Sequence, residues 1–141
     1  MLLKRHNVAF EIIRNDKPMY SVKDAIGYYE LHRIAPVLIV KTEMGYYALI
    51  VAGSRGRIDF ELIKKALHCE KVKLASKKGV LETTGHEVNN VPLVGHTLPC
   101  VLDTRLLLLS FVYGGVGDPN FTLKMDPRDL GKVNTIVATI E

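Results

Sequence analysis

The sequence predicts an α+β fold: a single domain over residues 1–141 with a curved mixed β-sheet, partly barrel-like, flanked by helices. Three observations carry that prediction. Many short strand-type segments are mixed with three or four helical ones, without strict β-α alternation. A length of 141 residues is enough for one proper core and too short for two ordinary domains. No repeat, low-complexity tract or linker divides the chain.

Each element follows in order. Val8–Ile13 has strand character, and Asn15-Asp16-Lys17-Pro18 is a turn. Ser21-Val22-Lys23-Asp24 resembles a capping box with Asp at the third helical position. Helical spacing then runs through Ala25, Ile26, Tyr29 and Arg33, with Gly27 as its weak point, and Ala35-Pro36 ends it. Val37–Val40 is a continuous apolar run suited to a strand covered on both faces. A short break, Thr42–Gly45, turns it into a second strand, Tyr46–Ala52. After the Gly53–Arg57 loop, Asp59 caps a helix over Phe60–His68. Val72–Ala75 is a short strand, and Ser76 starts a helix that Gly85 ends. Residues 85–96 form the most unusual loop, where Pro92 and Gly95 rule out a helix and Asn89-Asn90 suits positive φ. Strands at Cys100–Leu102, Ser110–Tyr113, Phe121–Lys124 and Thr135–Ile140 follow, with a short helix opening at Asp126-Pro127.

Apolar residues make up 48% of the chain and charged residues 24%, an ordinary globular balance. No apolar run reaches the length of a membrane span, so no membrane partner is expected. The Met1–His6 opening turns polar too soon for a secretion signal, and Cys69 and Cys100 show no pairing pattern. Reduced thiols in the cytoplasm are therefore expected. The net charge of +4 is unevenly spread. Lys64–Lys78 holds six lysines (64, 65, 71, 73, 77 and 78) against the single Glu70. Such a concentration fits either an anionic partner or a solvated surface.

The residues offer donors and positive charge but no strong nucleophile. The five histidines have no metal-ligand spacing, so no metal site and no cofactor are expected. Neither cysteine has an obvious activating partner: His68 adjoins Cys69, but the two point different ways from a helix end. Lys41 ends a buried-type strand, and two readings stand: an ammonium that snorkels to water, or a fixed cation at a pocket floor.

In order along the chain, these residues resemble the YbaK and prolyl-tRNA-synthetase-associated editing domains, which hydrolyse mischarged aminoacyl-tRNA. Val40-Lys41-Thr42 looks like the family's strand-end Lys-Thr, Arg57-Ile58-Asp59 like its Arg-Leu-Asp, and Leu74-Ala75-Ser76 like its Leu-Ala-Ser. Thr84–His96 resembles its Thr-Gly-Tyr-x-x-Gly-Gly-Val-x-Pro-x-Gly-His. Val101-Leu102-Asp103, Gly114-Gly115 and Asp129-Leu130 recur in the family's order. Two departures stand out. Asn89-Asn90 replaces the paired glycines, and the family's proline falls on Leu93, with Pro92 one residue earlier.

The resemblance implies a free-standing editing hydrolase acting on the 3′ acceptor end of a mischarged tRNA. An aminoacyl-tRNA synthetase is the further partner expected, and the chain itself would be a monomer or homodimer. It assigns catalysis to Lys41, Asn89 and Asn90. Substrate binding would fall to Thr42, Gly85, His86, Val91, Pro92, Gly95, His96, Gly114 and Gly115. The lysines at 64, 65, 71, 73, 77 and 78 would track tRNA phosphates. A non-catalytic tRNA- or nucleotide-binding module is the alternative.

Overall fold

The computed structural model describes residues 8–141. The Met1–His6 opening, and the start of the expected domain at residue 1, lie outside them. The strands are β1 (Phe10–Arg14), β2 (Val37–Thr42), β3 (Gly45–Ile50), β4 (Val72–Leu74), β5 (Cys100–Asp103), β6 (Val112–Gly115), β7 (Phe121–Met125) and β8 (Ile136–Ile140). The helices are α1 (Val22–Ala25), α2 (Phe60–Leu67), α3 (Lys77–Thr84) and α4 (Leu130–Val133).

The expected α+β class is what the chain adopts, but its strands divide into two sheets. One is three-stranded, in the order β1-β7-β6, and the other five-stranded, in the order β4-β2-β3-β5-β8. The larger sheet is mixed: β4-β2-β3 is antiparallel, whereas β5 runs parallel to both β3 and β8. It remains open, with β4 and β8 as its edges.

Alternation along the central strands explains why the larger sheet is apolar on both faces. Val37, Ile39, Ala48, Ile50, Cys100 and Leu102 face the larger core cluster, which also takes Val80 of α3 and Val91 and Leu93 of the 85–96 loop. Val40, Leu49, Val51 and Val101 face the other way, against Ile63 of α2. Each fully buried side chain of this size contributes about 1.5–3 kcal/mol through apolar burial.

The caps work as the sequence suggests in α2 and α3. Asp59 accepts from the Glu61 N–H at 3.0 Å, and Ser76 from the Gly79 N–H at 3.0 Å. Gly85 ends α3 at φ 77, its N–H donating to the Leu81 carbonyl. The expected helix over residues 22–33 does not form as one piece. It breaks after the single turn of α1, because Ile26 is extended and Gly27 sits at φ 98, and it resumes as a 3-10 turn over Leu31–Arg33. Ser21 makes no capping bond; the Asp24 carboxylate instead accepts from the Tyr20 N–H at 3.0 Å.

A buried carboxylate locks the far end of β3 to β5. Asp103 accepts from the Ala52 N–H (3.0 Å) and the Arg105 N–H (3.0 Å), and the Arg55 guanidinium lies 3.1 Å away. A fully buried carboxylate persists only with this many partners.

Candidate functional site

A cavity opens where the two sheets meet. The 19–29, 34–38, 88–91, 113–115 and 118–122 stretches supply its walls. Sheet contact at this point is fixed by backbone bonds. The Ala35 N–H donates to the Tyr113 carbonyl at 2.7 Å, and the Leu93 N–H to the Gly115 carbonyl at 2.9 Å. Gly114 is required here: a Cβ on it would lie 2.5 Å from Cδ2 of Leu93, so only glycine lets the 88–93 chain pack this closely on β6. Tyr29 and Tyr113 form one wall, with ring centroids 4.3 Å apart.

Five expected site residues, Asn89, Asn90, Val91, Gly114 and Gly115, line this cavity. Neither asparagine has the positive φ foreseen for it; in this region Gly85 (φ 77), Gly95 (φ 99) and Thr97 (φ 68) carry the left-handed turns. The Asn90 side chain is committed to structure, donating to the Gly117 carbonyl at 2.8 Å. Among the described residues, the Asn89 and Val91 N–H groups donate to no protein acceptor. Val91 is buried as a residue, and it lies in the cavity wall.

Lys41 is not at this pocket floor. Val37 and Leu38 line the cavity, and Lys41 lies three to four residues further along β2, about 10–13 Å at the usual strand rise. It is exposed, and its ammonium sits 5.5 Å from the Tyr46 ring centroid. With Thr42, Lys64, Lys71 and Lys73 it lines a second cleft, which also contains Glu43 and Glu70. Lys41 stands directly opposite Lys73 across the β2–β4 ladder, a like-charge pairing that costs stability. Glu43 holds the cleft together by accepting from the Glu70 and Lys71 N–H groups at 2.7 and 3.1 Å. Those bonds keep its carboxyl below the usual carboxylate range.

Several of the remaining expected residues make local structural contacts. Thr42 Oγ1 shapes the β2–β3 turn, donating to the Gly45 carbonyl and accepting from the Met44 N–H. Gly85 is a helix cap, and Gly117 leaves room for the His86 ring, whose Cε1 would lie 2.7 Å from a Cβ there. Pro92 is buried beside the pocket without lining it. His96 is also buried: its Nδ1 accepts from the Leu98 N–H at 3.0 Å, leaving Nε2 to face Cys100 Sγ at 3.5 Å. Burial holds His96 below the ordinary histidine range and pushes the Cys100 thiol up to about 12, so the pair is no thiolate dyad. Of the six segment lysines, 64 is paired with Glu61 (3.0 Å) and 78 with Glu82 (3.8 Å), while 65 and 77 are exposed.

Sequence reasoning missed Tyr29, Tyr113, Thr122 and Asn15. The one local signal was Tyr113, which directly precedes the glycine pair. Among the described residues no three His, Cys, Asp or Glu side chains converge as a metal site. No helix among them is long and apolar enough to cross a membrane.

Fold and pocket together define a small α+β domain that presents main-chain donors in a mostly apolar cavity, with a basic cleft separate from it. The chain belongs to the aminoacyl-tRNA editing domain family, whose model matches residues 16–133. It is 28% identical over 130 residues to the uncharacterized protein YwhH of Bacillus subtilis (strain 168), covering 91% of this chain and 82% of that one. The crystal structure of hypothetical protein APE2540 superposes with a TM-score of 0.87 at 30% identity, covering 97% of this chain and 93% of that chain. A crystal structure proposed as a trans-editing enzyme for prolyl tRNA synthetase has the same fold. Its TM-score is 0.85 at 23% identity, over 99% of this chain and 90% of that one.

Proposed function

We propose that this chain is a free-standing cytoplasmic hydrolase that deacylates mischarged aminoacyl-tRNA, with the cavity between the sheets receiving the 3′-aminoacyl-adenosine. The observation that carries this reading is that, among the described residues, the Val91 and Asn89 N–H groups have no protein acceptor, in the wall of a cavity whose described lining holds no His, Lys or Arg to activate a hydroxyl as nucleophile. An aminoacyl ester is already activated, so water or the neighbouring ribose 2′-hydroxyl suffices as the attacking group. What the site must supply is orientation and donors for the developing oxyanion. Cleavage of the ester releases the free amino acid and leaves the tRNA with its 3′-hydroxyl. Catalytic work falls on the Asn89–Val91 main chain, with Asn90 holding it in place.

Lys41 joins Lys64, Lys65, Lys71, Lys73, Lys77 and Lys78 as a phosphate contact. An anion between Lys41 and Lys73 would relieve their repulsion across the ladder. The test is a panel of mischarged tRNAs with the released amino acid followed over time. Release above the spontaneous rate for one class of amino acid is expected. Release from none supports the second reading, a tRNA- or nucleotide-binding module without hydrolysis. Two observations favour that reading: among the described residues no lysine, arginine or histidine lines the cavity, and the Asn90 amide is already used.

A further inference from the structure

We infer that the cavity contains a subsite for a cation, built from the Tyr29 and Thr122 hydroxyls and the Asp118 carboxylate, and that it takes the α-ammonium of the aminoacyl group. The identity of that ligand rests on the deacylase reading; the polarity of the subsite does not.

Asn15 sets the polarity. It is nearly buried, its N–H donates to the Asn120 carbonyl at 2.7 Å, and its Nδ2 donates to the Pro119 carbonyl at 3.1 Å. Flipping the amide would set its oxygen against the Pro119 carbonyl oxygen, so the orientation is fixed. Oδ1 therefore faces the two hydroxyls, accepting from Tyr29 at 2.9 Å and from Thr122 Oγ1 at 2.9 Å. Each hydroxyl has one proton and has given it to Asn15, so each keeps only lone pairs for a ligand. Tyr29 and Thr122 both line the cavity.

Asp118, an exposed residue of the same cavity lining, adds solvent-screened charge of the matching sign. Its Oδ1 accepts from the Asn120 N–H (2.9 Å) and Nδ2 (3.1 Å), which leaves Oδ2 as an acceptor. Among the described lining residues there is no Lys, Arg or His to offset it. Acceptors and an uncompensated carboxylate favour a cationic donor and disfavour phosphate. At the 3′ end of an aminoacyl-tRNA, the α-ammonium is the group of that description.

The experiment compares one aminoacyl-tRNA with its N-acetylated form, in wild type, Thr122→Val and Tyr29→Phe. N-acetylation should lower kcat/KM about ten-fold or more, and Thr122→Val should lower it comparably on the free amine alone. The N-acetylated substrate is the internal control: a misfolded variant would lose both rates together, and circular dichroism checks the fold directly. Equal hydrolysis of the two substrates by wild type overturns the subsite. A non-hydrolysable amide analogue of 3′-aminoacyl-adenosine, with and without N-acetylation, separates this inference from the deacylase reading. Preferential binding of the free amine by a protein that hydrolyses nothing would keep the subsite and remove the deacylase. Equal binding of both analogues, or binding of neither, overturns the subsite. A preference that follows the adenine amino group instead, read by substituting purine riboside for the adenosine, also overturns it.

Discussion

The Asn90 carboxamide donates to the Gly117 carbonyl at 2.8 Å and staples the 88–91 stretch of the pocket to the β6–β7 turn. That turn is itself tight, since Gly117 at φ 88 has the His86 ring against it. An asparagine standing where the resembled family carries glycine therefore ties the loop down. Asn90→Gly should lower stability by about 1 kcal/mol, the net worth of one such bond, with added backbone freedom in the unfolded chain. The denaturant midpoint should fall and KM for aminoacyl-tRNA should rise. Asn89→Gly, which removes an exposed side chain, should leave the midpoint much closer to wild type. Equal midpoints for the two variants would mean that the Asn90 bond contributes nothing.

Much of this arrangement was legible in the sequence, and the rest failed for physical reasons that individual residues show. The continuous apolar run 37–40 announced a strand buried on both faces, and Asp59, Ser76 and Gly85 announced their caps through local chemistry. Residues 22–33 misled because helical periodicity is blind to a glycine at φ 98, which placed Ile26 in solvent. The position of Lys41 was the costliest miss. A strand-end lysine is recognisable in sequence, but whether the pocket lies at that end of the strand depends on β6 and β7, about 75 residues away. Asn15, Tyr29 and Thr122 were invisible for the same reason: their bonds span large sequence separations and follow no periodicity.

Gly114 offers a direct test of how the pocket wall is packed. A methyl group there would meet three Leu93 side-chain atoms at 2.5, 2.7 and 3.0 Å. Gly114→Ala should cost about 1–3 kcal/mol, the usual range for overpacking a filled site. Leu93→Ala alone should also destabilise, by about 2–5 kcal/mol, through the cavity it leaves. Combined, the two should cost less than their sum, because the added methyl occupies part of the vacated volume. Strict additivity in chemical denaturation would contradict this contact.

His96 predicts how stability depends on pH. Its folded-state pKa is depressed below that of the unfolded chain, chiefly by burial and secondarily by His86. The unfolded state then binds the proton more readily. Stability from this group is full above the unfolded value of about 6.5 and declines as pH falls below it. His96→Asn, whose side-chain oxygen can still accept near the Leu98 N–H, should flatten the stability profile below about pH 6.5. An unchanged slope in that window would show that His96 does not titrate differently on folding. The Cys100 thiol, pushed up to about 12, should resist alkylation at pH 8 until the protein unfolds.

Lys41 and Lys73 separate phosphate contact from chemistry. They face each other across β2 and β4 in a cleft that also holds Lys64 and Lys71, away from the residues that line the pocket. Lys41→Ala should change kcat at saturating tRNA by less than about three-fold, because the lysine makes no contact specific to the transition state. Its effect belongs in binding. The slope of log K against log salt should become shallower by roughly 0.7–0.9 for each phosphate contact removed, and Lys73→Ala should act in the same way. Removing either lysine also relieves their mutual repulsion, so the protein without tRNA should be no less stable and somewhat more so. Filter binding across a salt series, single-turnover deacylation and thermal melting read these three quantities separately. A fall in kcat on the order of 100-fold with an unchanged salt slope would place the Lys41 ammonium at the reacting ester and refute its assignment to the basic cleft.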